Sequence, residues 1–374
     1  MAFSFDVCIR GAGIVGRTLA LLLARERLRV GLVADADGGP DPAASDVRAY
    51  ALNAASRQTL QGLRCWPELA QATPVLGMQV HGDAGGLVAF DAARQRVEAL
   101  AWIVDVPALA ARLSEAVRFQ PLIEQLPAPQ DAPLTVVCEG RASVTRAGFG
   151  VEFEQSPYRQ RAIATRLLCE QPHEQVARQW FAAGSILAFL PLGGPQGNSV
   201  AVVWSVDDAL AGPLEALDAE GFAARLAEAS HHALGRLTPA AERAAWPLQL
   251  ASARRWIGSL APGQRAWALA GDAAHTVHPL AGQGLNLGLA DAVGLSQVLA
   301  ARAYWRSLAD ERLLRRYERA RKAELAALAG ATDGLQRLFA HDGAAAQGLR
   351  NWGMRGFDLS GPLKDWVARR AMGL

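Results

Sequence analysis

Phe5-Asp-Val-Cys-Ile-Arg-Gly11-Ala-Gly13-Ile14-Val15-Gly16-Arg17, running on through Thr18-Leu-Ala-Leu-Leu-Leu-Ala24 to Arg29-Val-Gly-Leu-Val33, decides the fold. Phe5 to Ile9 reads as a short buried strand, Gly11 to Gly16 as a turn, Arg17 to Arg27 as a helix and Arg29 to Val33 as a second strand, which together make a βαβ unit. Gly11, Gly13 and Gly16 permit a tight turn, close approach of backbone N–H groups to a pyrophosphate, and tight packing of helix on strand. Ile14 and Val15, within the turn, are read as cofactor-binding positions, and the helix N-terminus that follows faces the phosphates. With 36 glycines in 374 residues, such a pattern arises by chance in roughly one chain of this kind in three. Its place, directly after an N-terminal strand and at the start of a helix, makes it a dinucleotide site rather than a structural glycine turn. The acid that would close the unit on an adenosine ribose is expected at Ala34. Asp35 substitutes only if the strand has ended by then, since a one-residue offset within a strand points to the other face.

A longer run lies far downstream: Gly271-Asp272-Ala-Ala-His275-Thr-Val-His278-Pro279-Leu-Ala-Gly282-Gln283-Gly284-Leu285-Asn286-Leu-Gly288-Leu-Ala-Asp291. It resembles the second flavin-binding motif of the para-hydroxybenzoate-hydroxylase-like (class A) monooxygenases. The resemblance implies that FAD is the cofactor, that Asp272 accepts a hydrogen bond from a ribityl hydroxyl, and that Gly282 to Asn286 lie beside the isoalloxazine pyrimidine edge. A helix N-terminus there would stabilise the anion of reduced flavin. His275 and His278 lack a third ligand nearby, so no metal is expected; they read as structural or as lining the cleft.

Two further stretches follow the same family. Cys138-Glu139-Gly140-Arg-Ala-Ser143-Val-Thr-Arg146 is similar to its alanine-aspartate-glycine motif, with Glu139 where Asp is usual. Asp46-Val-Arg48-Ala-Tyr-Ala-Leu52-Asn-Ala-Ala-Ser56 resembles the segment whose arginine, here Arg48, reaches over the flavin. Read without the family, the first is an exposed turn and the second a surface arginine.

Within the family the chain resembles the ubiquinone-biosynthesis hydroxylases most. Tyr158 to Ala162, Phe181, Gly184, Ala188-Phe-Leu-Pro191-Leu192 and Trp204 carry that likeness in the middle of the chain. Leu314-Arg-Arg-Tyr317-Glu-Arg-Ala-Arg321, Thr332-Asp333-Gly-Leu335, Leu338-Phe339, Leu349-Arg350-Asn351 and Ala371-Met372-Gly373 carry it in the tail. The implied fold is α/β: a Rossmann-like FAD-binding domain (1–72, 100–150 and 262–330) interleaved with a mostly β-sheet substrate domain (73–99 and 151–261), followed by C-terminal helices (331–374). Strand is expected around the Gly85-Gly86 turn and at Ser199 to Trp204, helix at Glu215 to Leu234 and after Gly284. The proline-rich stretch Phe119 to Pro133 looks too short for the strands the family usually carries there.

The implied reaction consumes NADH or NADPH and O2 and adds a hydroxyl to an aromatic ring, here a polyprenylated phenol. Alternatives are a flavin monooxygenase acting on a soluble aromatic compound, or a catalytically weak flavoprotein serving as scaffold in a biosynthetic complex. No residue stands out as a general base. A net charge of +2 with a pI near 8.5 is too mild for a nucleic-acid surface. Four single cysteines, Cys8, Cys65, Cys138 and Cys169, suggest neither disulfides nor zinc and fit a reducing cytoplasm. No signal peptide or membrane span is read. Leu349 to Leu374 mixes Trp352, Met354, Phe357, Trp366 and Val367 with Arg350, Arg355, Lys364, Arg369 and Arg370, a composition suited to peripheral docking on an inner membrane or on a partner in a ubiquinone-biosynthesis complex, although such stripes are more often intramolecular packing.

Overall fold

The computed structural model describes residues 3–34, 46–82, 85–182, 184–193, 197–276 and 283–340. In chain order the first half comprises β1 (Val7–Arg10), α1 (Ile14–Arg25), β2 (Val30–Val33), β3 (Ala49–Leu52), α2 (Ala54–Gly62), β4 (Ala72–Val75), β5 (Gly77–His81), β6 (Leu87–Asp91), α3 (Ala92–Gln95), β7 (Ala101–Asp105), α4 (Val106–Arg118), β8 (Ile123–Leu126), β9 (Leu134–Val137) and α5 (Val144–Gly148). The second half adds β10 (Phe153–Cys169), β11 (Val176–Ala182), β12 (Ser185–Leu192), β13 (Ser199–Asp207), α6 (Asp208–Ala216), α7 (Ala219–Ala229), β14 (Leu237–Pro239), β15 (Ala244–Ala253), β16 (Ile257–Ala261), β17 (Arg265–Leu269), β18 (His275–Thr276), α8 (Gln283–Ala300) and α9 (Glu311–Ala340).

A Rossmann-like sheet in the order β16-β17-β9-β1-β2-β8 forms the first layer. β1 pairs in parallel with β2 (Val7 opposite Val30) and with β9 (Val7 opposite Leu134). On one face of its central strands Val7, Ile9, Val30, Leu32, Leu134 and Val136 are buried in one core with α1, α4 and α8, and on the other Cys8 and Val33 pack with Phe5, Leu126 and Ala132. The strand expected at Phe5–Ile9 begins two residues later, and the helix expected from Arg17 already starts at Ile14. Phe119 to Pro133, expected to be short of strands, supplies β8, which pairs in parallel with β2 at the sheet edge. β16, placed by the expected boundaries in the second domain, instead pairs antiparallel with β17 in this sheet.

The interleaved second domain is a nine-stranded, largely antiparallel sheet, β18-β15-β10-β13-β12-β11-β5-β6 with β14 alongside β10. Its registers settle which side chains face which way. Ile163, Val202, Trp204, Val206, Leu187 and Phe189 pack outward against α6 and α7. Alternate residues, among them Ala162, Ala164, Ala188 and Ala201, turn to the side occupied by the three-stranded sheet β3-β7-β4. Of the helix expected over Glu215 to Leu234, Glu215 and Ala216 close α6 and Ala219–Ala229 form α7, because Asp218 leaves the helical conformation and caps α7 at the Gly221 amide; residues 230–234 are turn. α9 runs without interruption past residue 331, the expected start of the C-terminal region; residues 341–374, including the basic aromatic stretch, lie outside the described residues.

Candidate active site

The glycine turn sits where the sheet demands it. Gly11 has φ +103° and follows β1 directly; a Cβ there would lie 2.5 Å from the Cys138 carbonyl oxygen. A Cβ on Gly16 would lie 2.0 Å from the Gly11 carbonyl oxygen. α1 can therefore approach the turn closely only because both positions are bare. Gly13 differs: it caps α1, and nothing lies within 4 Å of where its Cβ would be. No side chain caps this helix and its first turn, with Ile14 and Val15, carries no acid. Among the described residues no side-chain acceptor caps the N-terminal amides of α1.

Gly271 and Asp272 form a short 3₁₀ turn at the end of β17, on the other side of Val15. Gly271 has φ +63°, and a Cβ on Gly288 of α8 would come within 2.7 Å of Val15. This packing brings two motifs some 260 positions apart against each other. Asp272 is exposed to solvent, yet the protein crowded around it pushes its carboxyl up, against the pull of His275, Arg48 and Arg141. Arg48 is near enough to act on that carboxyl; it is bound through Nε and Nη2 to Asp46 (2.8 and 2.6 Å) and lies 5.7 and 5.9 Å from the Tyr50 and Trp246 rings. Its side chain is 45% exposed, so it is an ion-paired arginine at the surface.

Glu139 is tied locally. Its carboxylate accepts from Ser143 Oγ, Thr145 Oγ1 and the Thr145 amide and pairs with Arg10 Nε at 3.0 Å. Burial alone would raise its carboxyl, but these hydroxyls, the amide and Arg10 hold it below the usual carboxylate range. The segment is a capped joint beside the glycine turn rather than an exposed one. Arg146, on α5, is buried and donates to the Ala273 carbonyl at 3.1 Å, bracing the Asp272 turn from behind.

Gln283, Gly284, Leu285 and Asn286 form the first turn of α8. The Asn286 side chain is wholly engaged: Oδ1 accepts from the Asn53 amide (3.0 Å) and Ser56 Oγ (2.7 Å), and Nδ2 donates to the Ala51 carbonyl (2.8 Å) and Gln283 Oε1 (3.3 Å). What this turn offers a ligand is main chain. Asp35, His278, Pro279 and Gly282 lie outside the described residues. β2 ends at Val33, so Ala34 already stands past the strand.

His275 is buried, its Nε2 2.7 Å from Asp291 Oδ2, and its ring stacks on Trp256 at 4.9 Å. Sequence reasoning gave Asp291 no role, although it closes the second motif and shares a helix face with Leu295 and Leu299. The inward sheet wall was likewise hidden. Phe181, Ile186, Ala188, Val203 and Trp246 are half-buried on the face toward the Rossmann side, and the small Ala162, Ala164 and Ser205 leave room between them.

A family model described as an FAD binding domain matches residues 129–332. The chain is 30% identical to ubiquinone hydroxylase UbiL of Rhodospirillum rubrum over 98% of its length and 89% of that protein. The chain belongs to the class A FAD-binding monooxygenases. It is related to the ubiquinone-biosynthesis hydroxylases, including the Escherichia coli 3-demethoxyubiquinol 3-hydroxylase, with 29% identity over 99% of this chain and 98% of that one. p-Nitrophenol 4-monooxygenase PnpA of Pseudomonas putida has the same fold (TM-score 0.76, 18% identity, 100% and 99% covered), as does PqsL of Pseudomonas aeruginosa (TM-score 0.68, 23% identity, 85% and 91% covered). This monooxygenase is an FAD-dependent oxidoreductase of a family that hydroxylates aromatic rings.

The residues present fit FAD. A helix N-terminus with no side-chain cap suits a pyrophosphate, and the exposed acid on the turn packed beside Val15 suits a polyol hydroxyl. Placing a carboxylate just past β2 would add an acceptor for the ribose. Ala34→Glu is accordingly expected to tighten FAD binding by roughly tenfold, the worth of about 1.5 kcal/mol for a hydrogen bond to a charged acceptor. Titration of the apoprotein with FAD measures it; unchanged affinity would mean that the ribose is already served.

Proposed function

We propose that this monooxygenase uses NADH or NADPH and O2 to hydroxylate a polyprenylated phenol in ubiquinone biosynthesis, working in the cytoplasm and peripherally at the inner membrane surface, alone or with partner enzymes. The observation that carries the reading is the near full-length similarity to two proteins named for ubiquinone and demethoxyubiquinol hydroxylation. The apolar inward wall built by Phe181, Ile186, Ala188, Val203 and Trp246 supports it, since an aromatic ring with a hydrocarbon tail needs such a surface with few polar contacts. Among the described residues no helix is long and apolar enough to cross a membrane.

When bound, FAD supplies the redox and oxygen-activating chemistry. Gly11, Gly13, Gly16 and the amides after Ile14 and Val15 would hold its pyrophosphate end. Asp272 would hold the ribityl chain, and the main chain of Gln283 to Asn286 would hold the ring. Arg48, fixed by Asp46 and beside Tyr50 and Trp246, would stand over the flavin. The sheet wall excludes water from the reacting ring.

The test is direct. The purified protein should show a flavin absorbance spectrum and oxidise NADH or NADPH faster when a prenylated phenol is added, with hydroxylated product recovered. Stimulation by p-nitrophenol or another soluble phenol, and none by the prenylated one, would move the substrate to the soluble class. Asp272→Ala is expected to weaken FAD roughly 10- to 100-fold by removing a charged hydrogen-bond acceptor; unaltered flavin content in the purified variant would refute the role of Asp272.

A further inference from the structure

One face of α9 grips the loop that carries Asp272 at both ends. Tyr317 is fully buried and donates its hydroxyl to the carbonyl of Leu269, the last residue of β17, at 2.8 Å. One turn later, Arg321 donates through Nε to Asp291 Oδ1 at 2.7 Å. The other oxygen of that carboxylate accepts from the Gly271 amide at 2.9 Å and meets His275 Nε2 at 2.7 Å. Between these tethers, at Leu269, Gly271 and His275, stands Asp272. Glu318, on the same face, accepts from the amide of Trp256, whose ring stacks on His275.

Asp291 is 0% exposed, His275 2% and Arg321 4%. Such a buried charge pair stabilises little relative to apolar packing, but it fixes geometry, since each member has one arrangement that satisfies it. Arg321 itself is locked by a further bond to Glu324 and by contact of its stem with Gly294. An arginine offers Nε–H in a rigid planar fork, whereas a lysine offers a rotatable point charge.

We propose that Arg321 is a positioning residue of the flavin site: acting through Asp291, it holds the Gly271–His275 loop so that Asp272 meets the cofactor. The C-terminal helix is thereby part of the FAD site although it touches no cofactor. This inference rests on the assignment of Asp272 to FAD made above.

The test is a double-mutant cycle on FAD affinity, measured by titrating apoprotein with FAD, with the thermal midpoint of each apoprotein recorded alongside. Asp272→Ala and Arg321→Met should each weaken FAD roughly 10- to 100-fold. The double variant should be within about threefold of Asp272→Ala alone, because Arg321 works through that side chain. Arg321→Lys should keep the charge and recover part of the affinity. A purely structural arginine would lower the apoprotein midpoint yet give losses that multiply in the double variant, and that result overturns the proposal. Should Arg321→Met fail to fold, the same cycle with Arg321→Lys decides between the same two results. Wild-type affinity in Asp272→Ala would sink the assignment of Asp272 and this inference with it. Weakened FAD in Asp272→Ala with wild-type affinity in the Arg321 variants would sink this inference alone.

Discussion

Gly16→Ala is expected to abolish FAD retention on purification and to weaken FAD roughly 100-fold, equivalent to about 3 kcal/mol. The new Cβ would sit 2.0 Å from the Gly11 carbonyl oxygen. Neither atom belongs to a flexible side chain, so helix and turn must separate by roughly an ångström or more to restore ordinary contact. That movement carries the first-turn amides of α1 out of register with the pyrophosphate. Gly13→Ala is the matched control. Its Cβ meets no protein atom within 4 Å, so the apoprotein midpoint should stay at the wild-type value while FAD still weakens, the added methyl entering space meant for cofactor. Equal FAD affinity in both variants and wild type would exclude this turn as the phosphate site.

Asp291→Ala is expected to destabilise the apoprotein by roughly 3–5 kcal/mol, the cost of leaving a buried charge without its partner. Arg321, 4% exposed, would lose its buried counter-charge and keep only the exposed Glu324, and the Gly271 amide and His275 would lose their acceptor. Urea unfolding of the apoprotein reads this; a loss below about 1 kcal/mol would place it among ordinary surface changes. Acid behaviour should change too. Burial works to raise the Asp291 carboxyl, but His275 and Arg321 hold it below the usual carboxylate range. In the unfolded chain such a carboxyl titrates near 4, at roughly its model-peptide value. Below that pH the unfolded chain binds the proton first, so the stabilisation is full above about pH 4 and falls away as pH drops through the lower folded value. Wild type should therefore lose stability more steeply than Asp291→Ala across this acid window.

These effects separate two kinds of information in the chain. The βαβ unit could be read because its signals are local: an apolar strand, three glycines at fixed spacing and an amphipathic helix depend only on backbone sterics and neighbours in sequence. The long run from Gly271 to Asp291 could be matched to a family because many positions agree in one uninterrupted stretch. Even the departure at Ala34 was visible, though whether it stands on the strand was not, since strand ends are set by pairing with β1 and β8. β8 itself was missed because Ile-Glu-Gln-Leu at 123–126 has no strand pattern of its own and is held by its register with Val30–Val33.

By itself, then, the sequence determined the Rossmann-like core, the flavin motifs and the family. Only the tertiary structure decided that Glu139 caps α5 and binds Arg10, that the Asn286 side chain ties α8 to β3 and α2, and that Arg321 reaches Asp291 across 30 residues. It also decided which alternate residues of β10, β12 and β13 face the side of the three-stranded sheet. The physical reason is the same in each case. Hydrogen-bond partners and sheet faces are fixed by which surfaces pack together, and a polar side chain carries no mark in sequence of whether burial will hand it a ligand or a neighbour.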